Sequence, residues 1–274
     1  MFRSLVITYI LFSSGISYGA SPLEMKKDNY IFSSDFGYST PSVTFLSFEG
    51  SEYIKAHPGF LWFRNFYFST GDVQMMGNNI FRRKDDEGNE KKMYIHTLYV
   101  KVIRAGYLYR NPDRDLVLSI DLHAGVFYSN DVRELNVTEE EVVSSTRGGA
   151  GTSLGLRWTP GRYYLDILFS IAGSNGDDII EGYVDFGYKI NHRWKIGIFS
   201  EGATRGANFC DDTQEDTSLC KYKLNLTYVA LYGSYRFYKD WWVAFGFGTS
   251  SMDYGTDAES TKIKASPALY LSIK

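Results

Sequence analysis

The sequence contains no apolar run approaching the ~20 residues that a membrane-crossing helix requires. Together with a mean hydropathy of -0.25, that absence excludes a helical membrane protein. An excess of positive charge is also missing: 29 Lys and Arg stand against 32 Asp and Glu, which leaves no electrostatic footprint for nucleic acid. Proline is scarce at 6, so long extended segments can run unbroken. Only 4 histidines and 2 cysteines occur, too few for a dense metal or acid–base constellation to be visible. Aromatic residues, by contrast, make up 17 %, with 22 Tyr and 19 Phe. Strands and membrane interfaces use aromatics in this way, and disordered chains do not.

Alternation is the dominant pattern. In the stretch 116–128, Leu116, Leu118, Ile120, Leu122, Ala124, Val126 and Tyr128 occupy one face, with Val117, Ser119, Asp121, His123, Gly125 and Phe127 on the other. A full apolar face opposite a polar, small-residue face over about ten residues is what a transmembrane β-strand needs. The pattern recurs along the chain, giving strands at about 30–38, 43–48, 60–69, 93–109, 116–128, 148–158, 163–173, 180–189, 194–201, 221–237, 241–248 and 263–273. A slip at Ile103-Arg104 predicts a β-bulge, and a second slip is expected near Tyr228-Val229. The intervals 70–92, 129–147, 204–220 and 251–261 read as long polar loops; 110–113, 159–161, 191–193 and 238–240 read as short turns. Outer-membrane barrels segregate short periplasmic turns from long extracellular loops in this way. Trp158, Tyr163, Tyr188, Trp194, Tyr238, Trp241 and Trp242 cluster beside the short turns, as an interfacial girdle does. The expectation is an all-β protein: an antiparallel up-and-down transmembrane barrel of about 12 strands.

The N-terminus has the form of a secretory signal. Arg3 is followed by an apolar core at 5–12 and the small-residue site Ser17-Tyr18-Gly19, placing cleavage before Ala20. The expected organisation is a signal peptide at 1–19 and one barrel domain at 20–274, located in the outer membrane. Cys210 and Cys220 most simply form one disulfide within an external loop, two free thiols or a metal pair being the alternatives.

If the apolar face meets lipid, the other face lines the lumen. That register directs Asp121, His123, Arg157, Asp166, Glu181, Asp185, Lys189, Lys195, Glu201, Lys262 and Lys264 inward, together with Lys101 and Arg236. Both signs are interleaved, whereas a selective pore is expected to carry rings of one sign. Mixed charges in a narrow barrel pair across strands and fill it. Catalysis finds little support. Ser119, Asp121 and His123 share a face, but successive same-face positions stand roughly 7 Å apart along a strand, which is poor geometry for a triad. Ser174-Asn175-Gly176 lacks the preceding His of the outer-membrane phospholipase motif, Ala172 standing in its place, and the histidines do not form an omptin-like set. Asp211, Asp212, Glu215 and Asp216 lack the spacing of a Ca²⁺ loop.

The segment 38–72, with Pro41, Gly50-Ser51, Tyr53, Pro58, an aromatic run at 60–68 and Gly71, resembles the N-terminal region of the MipA/OmpV family. The shared feature is GS-x-Y-x-x-x-x-P before an aromatic strand. The usual C-terminal aromatic of outer-membrane proteins is replaced here by Ser272-Ile273-Lys274. The resemblance implies an outer-membrane barrel serving as a scaffold for cell-wall-remodelling enzymes or in surface adhesion, without catalysis. The sequence reading is therefore a non-enzymatic scaffold or surface-interaction protein, with a narrow, weakly selective passive channel as the alternative. It expects no cofactor and no metal. Its expected partners are outer-membrane lipid, lipopolysaccharide and a periplasmic or surface protein.

Overall fold

The computed structural model describes residues 36–38, 42–48, 51–59, 61–84, 90–136, 139–173, 178–208, 221–238, 241–256 and 260–273. The strands are β1 (Phe36–Tyr38), β2 (Ser42–Phe48), β3 (Ser51–His57), β4 (Leu61–Phe63), β5 (Phe66–Ser69), β6 (Asp72–Lys84), β7 (Glu90–Asn111) and β8 (Leu116–Asn136). They continue as β9 (Glu139–Trp158), β10 (Tyr163–Gly173), β11 (Asp178–Lys189), β12 (Trp194–Asn208), β13 (Lys221–Tyr238), β14 (Trp241–Thr256) and β15 (Ser260–Ile273). Every pairing is antiparallel. The order β7-β6-β3-β2-β15-β14-β13-β12-β11-β10-β9-β8 returns to β7, which closes a barrel of 12 strands.

The remaining three strands are continuations of wall strands. From Ser42–His57 to Phe36–Phe63 the pairing advances six residues on each side, so β1 prolongs β2 and β4 prolongs β3 in unchanged register. Ile54–Met75 and Leu61–Phe68 keep step in the same way, and so do Asp72–Lys101 and Phe66–Tyr107. The breaks fall at residues that cannot propagate a ladder. Gly59 (φ 97°) and Gly71 (φ 76°) take a backbone conformation that L side chains rarely adopt, and Pro58 lacks the N–H. Gly71 N still donates to Lys101 O at 2.8 Å, so the chain is kinked without leaving the wall.

The count of 12 agrees with the alternation, but its first three members are drawn differently. The aromatic stretch read as one strand over 60–69 is a hairpin, β4 and β5, turning at Arg64 (φ 54°) and Asn65. Two short pieces running in opposite directions explain why both faces looked aromatic. The interval 70–92, read as a loop, is largely β6 and the start of β7, and most of 129–147 belongs to β8 and β9. Strand pairs that rise beyond the membrane need no apolar face, so charge there masks their extension. The loop expected over 251–261 is likewise mostly strand, and Tyr30 and the signal segment lie outside the described residues.

The bulge expected at Ile103-Arg104 lies one step earlier, between Lys101 and Ile103, with Val102 and Ile103 both facing outward. No slip occurs at Tyr228-Val229. Leu224, Leu226, Tyr228, Ala230, Tyr232 and Ser234 are buried in unbroken alternation, and the irregularity in β13 sits at Arg236/Tyr238.

A broad belt of the outer surface is apolar. Leu122 is 72 % exposed beside Asp121 at 2 %, and Leu231 is 67 % exposed beside Tyr232 at 8 %. A surface of this kind, on a sheet closed into a ring, is suited to contact with hydrocarbon. Trp158, Tyr163, Trp194 and Tyr238 face outward next to the short turns, as expected of a girdle. Trp242 does not belong to it: its ring lies inside the barrel against the ammonium of Lys195.

Candidate functional site

The interior is the site, and it has two halves. Along β12 to β15 and the facing parts of β3 and β6 it is apolar. Phe199, Leu224, Leu226, Tyr228, Met252 and Tyr270 pack with Tyr53 and Met76 in one buried cluster. Phe199 stacks on Tyr270, and Tyr228 lies beside both. A polar inward face was expected here, and the structure corrects that along β13, where Leu224, Leu226 and Tyr228 face inward while Lys223, Asn225 and Thr227 face outward.

The other half is a charged network anchored on acids from β8, β11 and β12. Glu181 accepts from Gln74 at 2.7 Å, from Lys101 at 3.3 Å and from Lys55 at 3.4 Å. Glu201 accepts from the Tyr53 hydroxyl at 2.9 Å and lies 3.5 Å from the same Lys55 ammonium. Arg205 donates to the Thr97 carbonyl at 3.0 Å, the Thr97 hydroxyl at 2.9 Å and Gln74 Oε1 at 3.3 Å. In the closed order β3 and β11 stand six places apart, on opposite sides of the ring. The Lys55–Glu181 bridge therefore spans the lumen.

A second cluster joins the first through two serines. Arg104 donates to Asp121 through Nη2 at 2.7 Å and Nε at 2.9 Å, and reaches Asp72 at 3.3 Å. The Tyr67 hydroxyl donates to the same Asp121 oxygen at 2.5 Å, and His57 Nδ1 lies 3.3 Å from Asp72. Ser153 donates to Ser170 at 3.1 Å, and Lys101 donates to Ser170 at 3.2 Å. These acids, cations and hydroxyls are buried against one another and paired, as buried charge requires.

Most of the residues directed inward by the sequence are found there. Asp121, His123, Asp166, Glu181, Asp185 and Glu201 are each at most 4 % exposed, and Lys101 is 3 %. Arg157 donates to Asp166 across the β9–β10 pair at 2.5 Å, and Asp185 accepts from Tyr232 at 2.5 Å. Lys189 keeps the inward parity of Asp185, and Lys195 lies over the rings of Trp242 and Tyr164. Lys262 and Lys264 are in β15 beyond a register shift, since Ser250 pairs with Ser266 but Met252 with Ile263. The parity read from 266–272 does not carry through to them unbroken. Cys210 and Cys220 lie outside the described residues.

The sequence reading missed Lys55, Gln74, Arg104 and Arg205. Lys55 and Gln74 sit in stretches to which no strand had been assigned. Arg104 is turned inward by the bulge itself. Arg205 had a visible signal, because it stands four residues beyond Glu201 with the same parity.

The Ser119–Asp121–His123 face does not assemble a triad. Asp121 Oδ1 lies 3.2 Å from His123 Nδ1, and the nearby hydroxyl is that of Ser153, 3.5 Å from the same ring nitrogen. A triad presents carboxylate and nucleophile to opposite nitrogens of the imidazole. Here both address one, and Nε2 is buried without a hydrogen-bond partner among the described residues. No group of His, Cys, Asp and Glu suited to a metal ion is found among the described residues. Outside the wall, Arg162 in a short turn donates to the Tyr188 hydroxyl at 3.3 Å, which raises the guanidinium's proton affinity further.

No family model and no curated protein matches the chain. Among solved structures, it is similar to the Pseudomonas putida toluene transporter TodX, with 9 % identity, 95 % of this chain and 93 % of that chain covered, and a TM-score of 0.43. It is similar to the outer membrane channel DcaP of Acinetobacter baumannii, with 7 % identity, 87 % and 95 % coverage and a TM-score of 0.39. A third similarity is to outer-membrane OmpT of Vibrio cholerae, with 12 % identity, 87 % and 95 % coverage and a TM-score of 0.38.

Proposed function

We propose that this protein is a non-enzymatic outer-membrane barrel whose lumen does not conduct, acting as a scaffold or surface-interaction protein of the MipA/OmpV-like kind. The observation that carries the reading is the bridge across the lumen. Lys55 and Tyr53 on β3 hold Glu181 and Glu201 on the opposite wall, and stacked Phe199, Tyr228 and Tyr270 fill the space beside them. A solute path needs a continuous wet passage lined by groups that bind weakly. Side chains that satisfy each other across the diameter offer none. Placement of both His123 partners on one ring nitrogen speaks against hydrolytic chemistry.

On this reading the work is done outside the barrel. The apolar belt takes up outer-membrane lipid and lipopolysaccharide. The paired extensions of β8 and β9, which reach Asn136 and Glu139, give a partner protein a surface beyond the bilayer. The segment 1–19 serves as the export signal. The test is conductance of the purified, folded protein in a planar bilayer. A folded but electrically silent barrel is expected. Discrete, reproducible openings would overturn the reading in favour of a narrow channel for small solutes.

A further inference from the structure

The sheet is a closed ring only along the wall. Beyond it, β6, β7, β8 and β9 continue together as a four-stranded blade, aligned through the row Phe81, Met93, Arg133 and Glu141. Counted from Trp158 in the girdle, β9 needs about 10 residues to cross the bilayer, so 139–147 stand outside it. The wall strands on either side do not follow. β10 stops at Gly173, one step past Ala172, and the four residues 174–177 complete its hairpin to Asp178. β3 stops at Ser51, opposite Asn78, and residues 49 and 50 close its turn to Phe48. Loops so short reach only about two residues further along a neighbouring strand. Among the described residues, 139–147 of β9 therefore pair with β8 alone, and 81–84 of β6 with β7 alone.

An open strand edge offers its N–H and C=O groups to another chain, and neither of these edges carries a proline to prevent it. Their signs differ. β6 ends in Arg82-Arg83-Lys84, and β9 begins with Glu139-Glu140-Glu141. Within the blade the register sets like against like: Arg82 opposes Lys92, Arg83 opposes Lys91, and Glu140 opposes Glu134. Such pairs are destabilising, and a strand of the other sign on the open side offsets them. An edge of one sign also repels a copy of itself, so each edge refuses its own kind and accepts the other. Chain direction agrees. β6 runs from the wall out to Lys84, and β9 runs from Glu139 back to the wall. Copies standing the same way up in one membrane therefore bring β6 of one and β9 of the next together antiparallel.

We propose that the blade joins this protein to a second copy of itself by strand addition, the β9 edge of one copy pairing antiparallel with the β6 edge of its neighbour. Main-chain hydrogen bonds supply the affinity, and the opposed charges select the partner and the orientation. The contact is head-to-tail, so it leaves one edge of each kind open and builds rings or chains rather than a closed pair. The inference rests on the surface-interaction reading of the β8–β9 extension and is independent of whether the lumen conducts.

Analytical ultracentrifugation of the folded full-length protein in neutral detergent tests the contact, with heat-modified gel migration reporting the folding of each variant. Concentration-dependent association of the wild type is expected. It should weaken at least tenfold when β9 is reversed (Glu139→Lys, Glu140→Lys, Glu141→Lys), and equally when β6 is reversed (Arg82→Glu, Arg83→Glu, Lys84→Glu). An equimolar mixture of the two variants should associate again, because each then meets edges of the opposite sign. A second pair of variants reads the backbone instead of the charge. Of two neighbouring residues in an antiparallel strand, one turns its N–H to one side and the next to the other. Ser144→Pro or Ser145→Pro therefore removes a donor from the open edge, and association should fall in at least one of them while the barrel stays folded. A wild type that is monomeric at every concentration would overturn the proposal. So would reversed variants that associate normally, a mixture that fails to recover, or two folded proline variants that both match the wild type. Conductance is not read in any arm, so the closed lumen and the strand contact can fail separately.

Discussion

At the scale of single residues, the interior charges are held by their partners rather than by water, and this fixes what their removal does. Arg104 is the cation shared by Asp121 and Asp72, and both acids are buried. Arg104→Ala strands two carboxylates in a poorly solvated space, a change that costs about 3–5 kcal/mol when a buried pair is broken. The expected result is a lower denaturant midpoint for the refolded barrel in detergent; an unchanged midpoint would contradict the pairing. On the opposite face the logic inverts. Ile120 is 51 % exposed toward lipid, and Ile120→Arg should cost ~2–4 kcal/mol near the midplane. Ile120→Val should cost far less, as read by folding yield into lipid vesicles. These single positions were the part most legible in the sequence. Alternation is strict wherever an apolar outer face opposes a polar inner one, and Asp121, Glu181 and Asp185, read onto the polar face on that basis alone, are buried. It failed along β13, where Leu224, Leu226 and Tyr228 face inward while Lys223, Asn225 and Thr227 face outward, and the outer face turns apolar only from Val229. The apolar residues thus change faces midway, which mimics a slip that the backbone does not make.

At the scale of elements, the interrupted strands are the main departure from a regular barrel. β1/β2, β3/β4 and β5/β6 keep register through their breaks, so each break is a kink in a wall strand and not a change of partner. Gly71 holds one of these kinks at φ 76° while its N–H stays in the ladder. Gly71→Val would force a branched side chain into a left-handed conformation, at about 1–2 kcal/mol. Lower thermal stability with an unchanged strand signature in circular dichroism is expected. A stability equal to the wild type would mean that the backbone there relaxes freely. Element boundaries in this region were not legible, for a physical reason. Short strand pieces flanked by Pro58, Gly59 and Gly71 have too few repeats to establish a period, and charged residues such as those at 82–84 and 90–92 look like loop although the backbone is paired.

At the scale of the whole molecule, side chains of this barrel of 12 strands meet across the lumen, and the proposed function takes that contact as an obstruction. The expected consequence is that thinning the obstruction creates a current where there was none. The combined variant Tyr53→Ala, Glu201→Ala, Tyr270→Ala removes two large rings and one acid from the cross-lumen contacts. Single-channel recording of the folded variant should show openings that the parent lacks. Silence from a folded variant would mean that the remaining network suffices to block the passage.

Closure of the ring also has a weakest stitch. Among the described residues, β15 and β2 share six paired positions, from Ala268–Phe48 to Ile273–Val43, whereas β8 and β9 are zipped from Leu116–Trp158 to Asn136–Glu139. A cylinder sewn so unevenly gives way along its shortest join. Amide protons of residues 43–48 and 268–273 should trade for deuterium well before those of the β8–β9 ribbon. That seam is therefore where a machine inserting the chain into a bilayer would find it easiest to complete the circle last.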